Sequence, residues 1–181
     1  MLIDTFMSLI PVGCLVLLLA VAGIVSILWT ELKGAPYVAT PRRTARRMLE
    51  LAEISSEDVV YDLGSGDGRL LWLAAQEFGA RAVGVEIDPI RYAWTKVLIR
   101  LKGLQGQVQV IRADLFKVDL RPASLVTVYL SRETNRLLME KLGNELSPGT
   151  RIVSRKYTFP ALNLIREDVA EELYVYLIGK A

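Results

Sequence analysis

The chain has 181 residues, 52% of them hydrophobic, with a formal charge of +2 and a mean hydropathy of +0.33. That length suits one ordinary domain, and the apolar content excludes a disordered or collagen-like chain. A single cysteine excludes an intrachain disulfide framework, and the absence of histidine removes the Ser-His-Asp and Cys-His triads and the His-dependent metal sites.

The hydropathy is unevenly placed. No residue between Asp4 and Glu31 is charged, and residues 6–29 are almost wholly apolar. At about 1.5 Å per residue, a helix of that length crosses a hydrocarbon core of about 30 Å. Trp29 falls where an interfacial aromatic is favoured. A cleaved signal peptide would have a basic start and a shorter apolar core. The cations Lys33, Arg42, Arg43, Arg46 and Arg47 follow, and the positive-inside tendency places the remainder on the cytoplasmic side. The expectation is a single-pass anchor with a short linker over residues 1–33, contacting the bilayer through residues 6–29, and a domain over residues 34–181. With no mitochondrial presequence visible, a prokaryotic plasma membrane is favoured over the mitochondrial inner membrane.

Thr40-Pro41 reads as an N-cap followed by proline in the first helical position, with Ala45, Met48, Leu49 and Ala52 continuing at helical spacing. Strands and helices then alternate. Strands are predicted at Val59 to Leu63, Ala82 to Ile87, Val108 to Ile111, Leu125 to Leu130 and Arg151 to Ser154, with a sixth candidate at Leu173 to Ile178. Between them lie a helix stopped by Gly79, a helix capped by Asp88-Pro89 and a helix from Arg132 to Leu142. The second of these carries the apolar stripe Ile90, Ala93, Trp94, Val97, Leu98 and Leu101. Alternation with near-continuous apolar strands predicts a parallel, Rossmann-like α/β sheet with helices on both faces. Its ligand would bind beyond the carboxyl ends of the strands.

The chemistry concentrates in Val59-Val60-Tyr61-Asp62-Leu63-Gly64-Ser65-Gly66-Asp67-Gly68-Arg69, between a strand and a helix. A dinucleotide turn has G-x-G-x-x-G. Here the third glycine comes one place early, and Asp62 would repel a pyrophosphate while suiting an ammonium. Glu86, at the end of the next strand, would accept from both hydroxyls of a ribose. Asp114, after the third strand, would accept from an adenine amino group, with Ile87 or Phe116 packing the ring. Three acids at this spacing ask for S-adenosylmethionine, whose methyl would pass to an acceptor by in-line displacement, with the protein supplying alignment and desolvation. A helix cap for Asp114 and a solvated strand end for Glu86 are the plain structural alternatives. The Asn/Asp-Pro-Pro-aromatic element of adenine-N6 and glutamine methyltransferases is absent, and Tyr129 stands where it would line the transfer pocket or fill the core. Tyr157 and Phe159 carry the same two readings. A small net charge with no broad basic footprint speaks against nucleic acid as a partner.

Five elements in order, Pro36-Tyr37-Val38-Ala39-Thr40-Pro41, the Tyr61 to Arg69 run, Val83 to Pro89, Val128-Tyr129-Leu130 with Asn135, and Pro148 to Ser154, go further. Together they resemble the seven-strand, class I protein-lysine methyltransferases that include the ATP synthase c-subunit and adenine nucleotide translocase enzymes and their small archaeal and bacterial relatives. The resemblance implies a membrane-anchored methyltransferase acting on lysines of a protein substrate, possible targets including membrane proteins, with no metal. It implies that Asp62, Gly64 and Gly66, with Ser65 between them, hold the methionine part of the cofactor, Glu86 the ribose, and Asp114 the adenine, with Ile87, Leu115 and Phe116 also at the cofactor. Tyr37 and Thr40 would cover the methionine end, and Tyr37 and Tyr129 would serve the catalytic pocket. Ala39 stands where the family usually has a second proline, and Ala161-Leu162 follow Pro160 where a Trp is common. The other readings are a small-molecule or lipid methyltransferase, a non-catalytic cofactor-binding module, and an anchored dinucleotide enzyme.

Overall fold

The computed structural model describes residues 38–179 and, before them, isolated positions between 13 and 24. The chain divides into a unit up to Tyr37 and a unit from Val38. In the first, the described positions are helical and exposed, Leu17, Val21 and Ile24 among them. The expected span over residues 6–29 lies almost wholly outside the described residues, as does Tyr37. Among the described residues no helix is long and apolar enough to cross a membrane.

The second unit is built on seven strands, β1 (Val59–Leu63), β2 (Arg81–Glu86), β3 (Val108–Arg112), β4 (Leu125–Val128), β5 (Arg151–Arg155), β6 (Asn163–Asp168) and β7 (Leu173–Leu177). Four helices accompany them, α1 (Arg42–Leu51), α2 (Arg69–Phe78), α3 (Pro89–Leu101) and α4 (Arg132–Glu145), with a 3-10 turn at Leu115–Lys117. The sheet order is β3-β2-β1-β4-β5-β7-β6. The chain winds outward from β1 to β3, then crosses back to lay β4 on the other side of β1. That reversal leaves a crevice beyond the carboxyl ends of β1 and β4.

Two expectations need correction. The sheet is mixed, because β7 pairs antiparallel with both β5 and β6. Only residues 169–172 separate β6 from β7, too few for the crossover that parallel strands require. β6 itself escaped prediction, since Asn-Leu-Ile-Arg-Glu-Asp at an exposed edge lacks the apolar run of a buried strand. The helices do lie on both faces, but unequally. Strand residues alternate between two apolar clusters, Val60, Leu125 and Val153 joining α1 and α2, and Tyr61, Val126 and Ile152 joining Leu138 and Leu142 of α4.

The apolar stripe of α3 faces outward. Thr95 and Ile99 are the buried positions of this helix, whereas Trp94, Val97 and Leu101 are exposed. Thr95 is drawn inward because its hydroxyl donates to the Gly66 carbonyl (3.0 Å) and its methyl packs against Gly68. The start of α1 moves by one residue: Pro41 occupies the N-cap with no side-chain bond, and Thr40 lies outside it.

At the opposite end of the strands, Asp58 ties four elements together. It accepts from Ser55 N (2.7 Å), from Ser124 Oγ (2.6 Å) and from the Arg151 guanidinium, which also donates to the carbonyls of Ala52 and Glu53. Asp58→Ala would leave a partly buried guanidinium and two other donors without their acceptor. It is expected to destabilise the domain by about 3 kcal/mol, read from the urea midpoint of unfolding at constant slope.

Candidate active site

The Gly64 to Gly68 turn runs from the end of β1 to the start of α2 and is held from beneath. Gly64 N and Ser65 N both donate to the Val85 carbonyl (2.9 and 3.0 Å), Gly66 N donates to Glu86 Oε2 (2.8 Å), and Gly68 N donates to the Ser65 carbonyl (2.8 Å). Gly68 adopts φ +74°, and a Cβ there would stand 2.5 Å from Thr95 Cγ2, so only glycine fits. Gly64 adopts φ +81°, and a Cβ on it would press on Leu130 at the mouth of the crevice.

These amides are therefore engaged within the protein. A pyrophosphate is bound by free N–H groups at a helix N-terminus, whereas here Gly64, Ser65 and Gly66 direct theirs at β2 and Gly68 directs its own at Ser65. What the turn sets beside the crevice is acidic. Asp62, in the last turn of β1, is buried and accepts from Thr127 Oγ1 across the β1–β4 pair (2.7 Å). Desolvation pushes its carboxyl up to about 7, with help from the neighbouring Glu86 and Asp67 charges and against the Thr127 hydrogen bond. No cation among the described residues answers this buried carboxyl, and an ammonium would meet that need.

Glu86 is buried at the end of β2. Its Oε2 accepts from Gly66 N and its Oε1 from Asp88 N (2.8 Å each), so it fastens the turn to the start of α3 while each oxygen keeps a second lone pair. Burial raises its pKa, opposed by those two amides and Arg91. Asp88 in turn caps α3, accepting from Ile90 N and Arg91 N. Ala113 N donates to the Glu86 carbonyl, which brings Asp114 beside the same strand end. Asp114 caps the 3-10 turn through Phe116 N (3.0 Å), in keeping with the plain reading of that residue, and Leu115 and Phe116 lie within the turn it caps. Ile87 is half-buried between Glu86 and Asp88.

Thr40 is brought to the turn through Arg69, whose guanidinium donates to the Thr40 carbonyl and pairs with Asp67. Ser65 is turned the other way. Its hydroxyl packs under Gly84 of β2 and is buried with no hydrogen-bond partner among the described residues.

The acceptor side of the crevice follows β4 and β5. Tyr129 is half-buried just beyond β4, and the Arg155 guanidinium stacks on its ring at 4.5 Å. Tyr157 carries Arg132 and Lys156 over its ring at 5.7 and 5.6 Å. Asn135 is buried, donating to Ser154 Oγ and the Tyr157 carbonyl, while its Oδ1 has no partner among the described residues. Phe159 is core, packed edge-on against Tyr176. Sequence reasoning missed Thr127 and the Arg155–Tyr129 stack. The first had a signal: a lone hydroxyl in the apolar run of β4, opposite Asp62 in register.

These residues fit S-adenosylmethionine, with a buried acid for an ammonium, a second for ribose hydroxyls and a third near the strand end for adenine. Comparison with known proteins points to the same ligand. Residues 62–166 match the family model of the ANTKMT methyltransferase domain. A protein-lysine N-methyltransferase of Saccharolobus islandicus is 40% identical over 152 residues, covering 80% of this chain and 94% of that one. The mouse adenine nucleotide translocase lysine N-methyltransferase is 39% identical over 130 residues, covering 69% of this chain and 54% of its own length. A crystal structure from Salinibacter ruber, described as an RNA methyltransferase in complex with S-adenosylhomocysteine, superposes with a TM-score of 0.76 at 38% identity and covers 80% of this chain and 95% of that one.

Binding an ammonium requires Asp62 ionised. Affinity for S-adenosylhomocysteine is expected to fall by up to about tenfold per pH unit below pH 7 and to level off above it. The empty domain should behave oppositely. Its folded state holds the Asp62 proton more tightly than the unfolded chain, so stability declines as the pH rises from about 4 to about 7. Calorimetric titrations and thermal melts across this range check both, and Asp62→Asn should flatten both profiles.

Proposed function

The chain belongs to the ANTKMT methyltransferase family, and on that footing we propose that this S-adenosylmethionine-dependent enzyme transfers methyl groups to lysine side chains of proteins while anchored to a membrane. The observation that carries the reading is the glycine turn whose amides are engaged internally beside a buried, cation-seeking carboxyl. The cofactor supplies an electrophilic methyl on a sulfonium. Asp62 would hold its ammonium, Glu86 its ribose hydroxyls and Asp114 its adenine, with Thr40 and the Arg69–Asp67 pair closing over the turn. Gly64, Gly66 and Ser65 shape the cradle.

The acceptor lysine would enter past Tyr129 and Tyr157. Arg132, Arg155 and Lys156 raise the potential there, and a lysine amine among cations in a desolvated crevice is shifted toward its neutral, nucleophilic form. No imidazole is needed, because no covalent intermediate has to form and the amine's proton can leave to water before transfer. Lysine is favoured as acceptor by the two named relatives, at 40% and 39% identity. A second reading, methylation of RNA, draws on the Salinibacter ruber protein and on the same rim of cations.

The anchor would be residues 6–29, in a prokaryotic plasma membrane with the catalytic domain on the cytoplasmic side, and membrane proteins would be its preferred substrates because tethering raises their effective concentration. Incubating membrane and soluble fractions with methyl-labelled cofactor, followed by mass spectrometry, is expected to place label on lysines. Label confined to RNA would select the second reading. Deletion of residues 1–33 should leave methylation of a soluble peptide intact while lowering that of a membrane target by about tenfold or more. Equal loss on both substrates would remove the tethering argument.

A further inference from the structure

The outward face of α3 is apolar where a solvated helix would be polar. Leu101, Trp94 and Val97 are 78%, 56% and 50% exposed, and Ile90 and Leu98 are half-buried beside them. At 100° per residue these five side chains fall on one stripe opposite the buried Thr95 and Ile99. The charges of this helix are all of one sign. Lys96 and Arg100 border the stripe on one side, Arg91 on the other is mostly buried and paired with Asp88, and no acid occurs between Pro89 and Leu101. Lys96 and Arg100 make no ion pair among the described residues. Just past the helix, Lys102 lies over the Trp72 ring at 4.5 Å, and Arg42 lies over that ring at 5.0 Å. The basic margin of α3 thus continues into the start of α1, where Arg42 and Arg46 are partly balanced by Glu77.

We propose that the outer face of α3 is a membrane-contact surface that lies against an anionic bilayer. Trp and aliphatic side chains flanked by Lys and Arg, with no acid, are the composition by which a helix settles in the headgroup region. The apolar stripe enters the acyl boundary and the cations meet lipid phosphates. A soluble protein partner would not require this uniform sign of charge. Position along the chain points the same way. With residues 6–29 in a bilayer, the part of the argument that rests on the anchoring reading, residues 30–37 reach at most about 3.6 Å each. α1, which carries Arg42, is the part of the domain nearest that segment in sequence, and Lys102 lies over the same Trp72 ring as Arg42.

The test uses the full chain with Cys14 replaced by Ser and an environment-sensitive fluorophore on Val97→Cys, compared with the same label on Glu140→Cys, an exposed position of α4 on the other side of the sheet. In phosphatidylcholine vesicles containing phosphatidylglycerol and lipids brominated in the acyl chains, the label at 97 is expected to be quenched several-fold more than that at 140. Zwitterionic vesicles, high salt, or Lys96→Glu with Arg100→Glu should abolish the difference while S-adenosylhomocysteine binding persists. Equal quenching at 97 and 140 in anionic vesicles overturns the proposal. So does a label at 97 that is shielded without lipid in a chain that sediments as a dimer, because a second copy then covers the face. The anchor is scored separately by retention on vesicles after an alkaline wash. A chain that is retained with 97 unquenched keeps the anchor and loses the face, and the reverse pattern keeps the face alone.

Discussion

The site depends on one buried carboxylate. Glu86 takes the amide of Gly66 on one oxygen and the amide of Asp88 on the other, and so joins the glycine turn, the end of β2 and the start of α3 at one side chain. Ionised, a buried carboxylate needs at least these donors to offset its lost hydration. The turn in return needs an acceptor for an amide that faces neither water nor a helix. Thr95 closes the loop from the other side, its hydroxyl on the Gly66 carbonyl and its methyl in the space that a side chain on Gly68 would fill. The residue that reads as the ribose acceptor is thus also the one that shapes the cradle. Loss of ligand affinity on its removal would report both roles.

From that joint follows the division of the crevice. The turn engages the amides of Gly64, Ser65 and Gly66 with β2 and that of Gly68 within itself, which denies a phosphate these donors and leaves buried Asp62 as the dominant feature on the cofactor side. On the acceptor side the charge has the opposite sign, with Arg155 on Tyr129 and Arg132 and Lys156 on Tyr157. An acidic cradle for a cationic cofactor and a cationic rim beside the incoming amine are complementary. On the proposed reading, the first would hold an ammonium in its charged form, and the second would favour loss of a proton from another.

Much of this was legible in the sequence where local chemistry decides the structure. The Asp88-Pro89 cap, the Gly79 stop and the first strand from Val59 to Leu63 stand where they were expected, because each is set by residues within a turn of itself. Failures came where a distant neighbour decides. Which way the α3 stripe faces could not be read, because Thr95 answers to Gly66, twenty-nine positions away. β6 was invisible because an exposed edge in a hairpin asks for no apolar alternation. Asp62, Glu86 and Asp114 were each readable from position at a strand end, but Ser65 could not be known to face the sheet until Gly84 was seen beneath it. Thr127 had to wait for the β1–β4 register, although its hydroxyl in an apolar strand marked it.

The central claim is that this cradle recognises a cationic amino-acid nucleoside through carboxylates and offers nothing to a pyrophosphate. Calorimetric titration of the full chain with S-adenosylhomocysteine, with its analogue lacking the amino group, and with a nicotinamide dinucleotide tests it most directly. The account predicts tight binding of the first, at least about tenfold weaker binding of the second and none of the third. Equal affinity for the deaminated analogue, or displacement of the nucleoside by the dinucleotide, would contradict it.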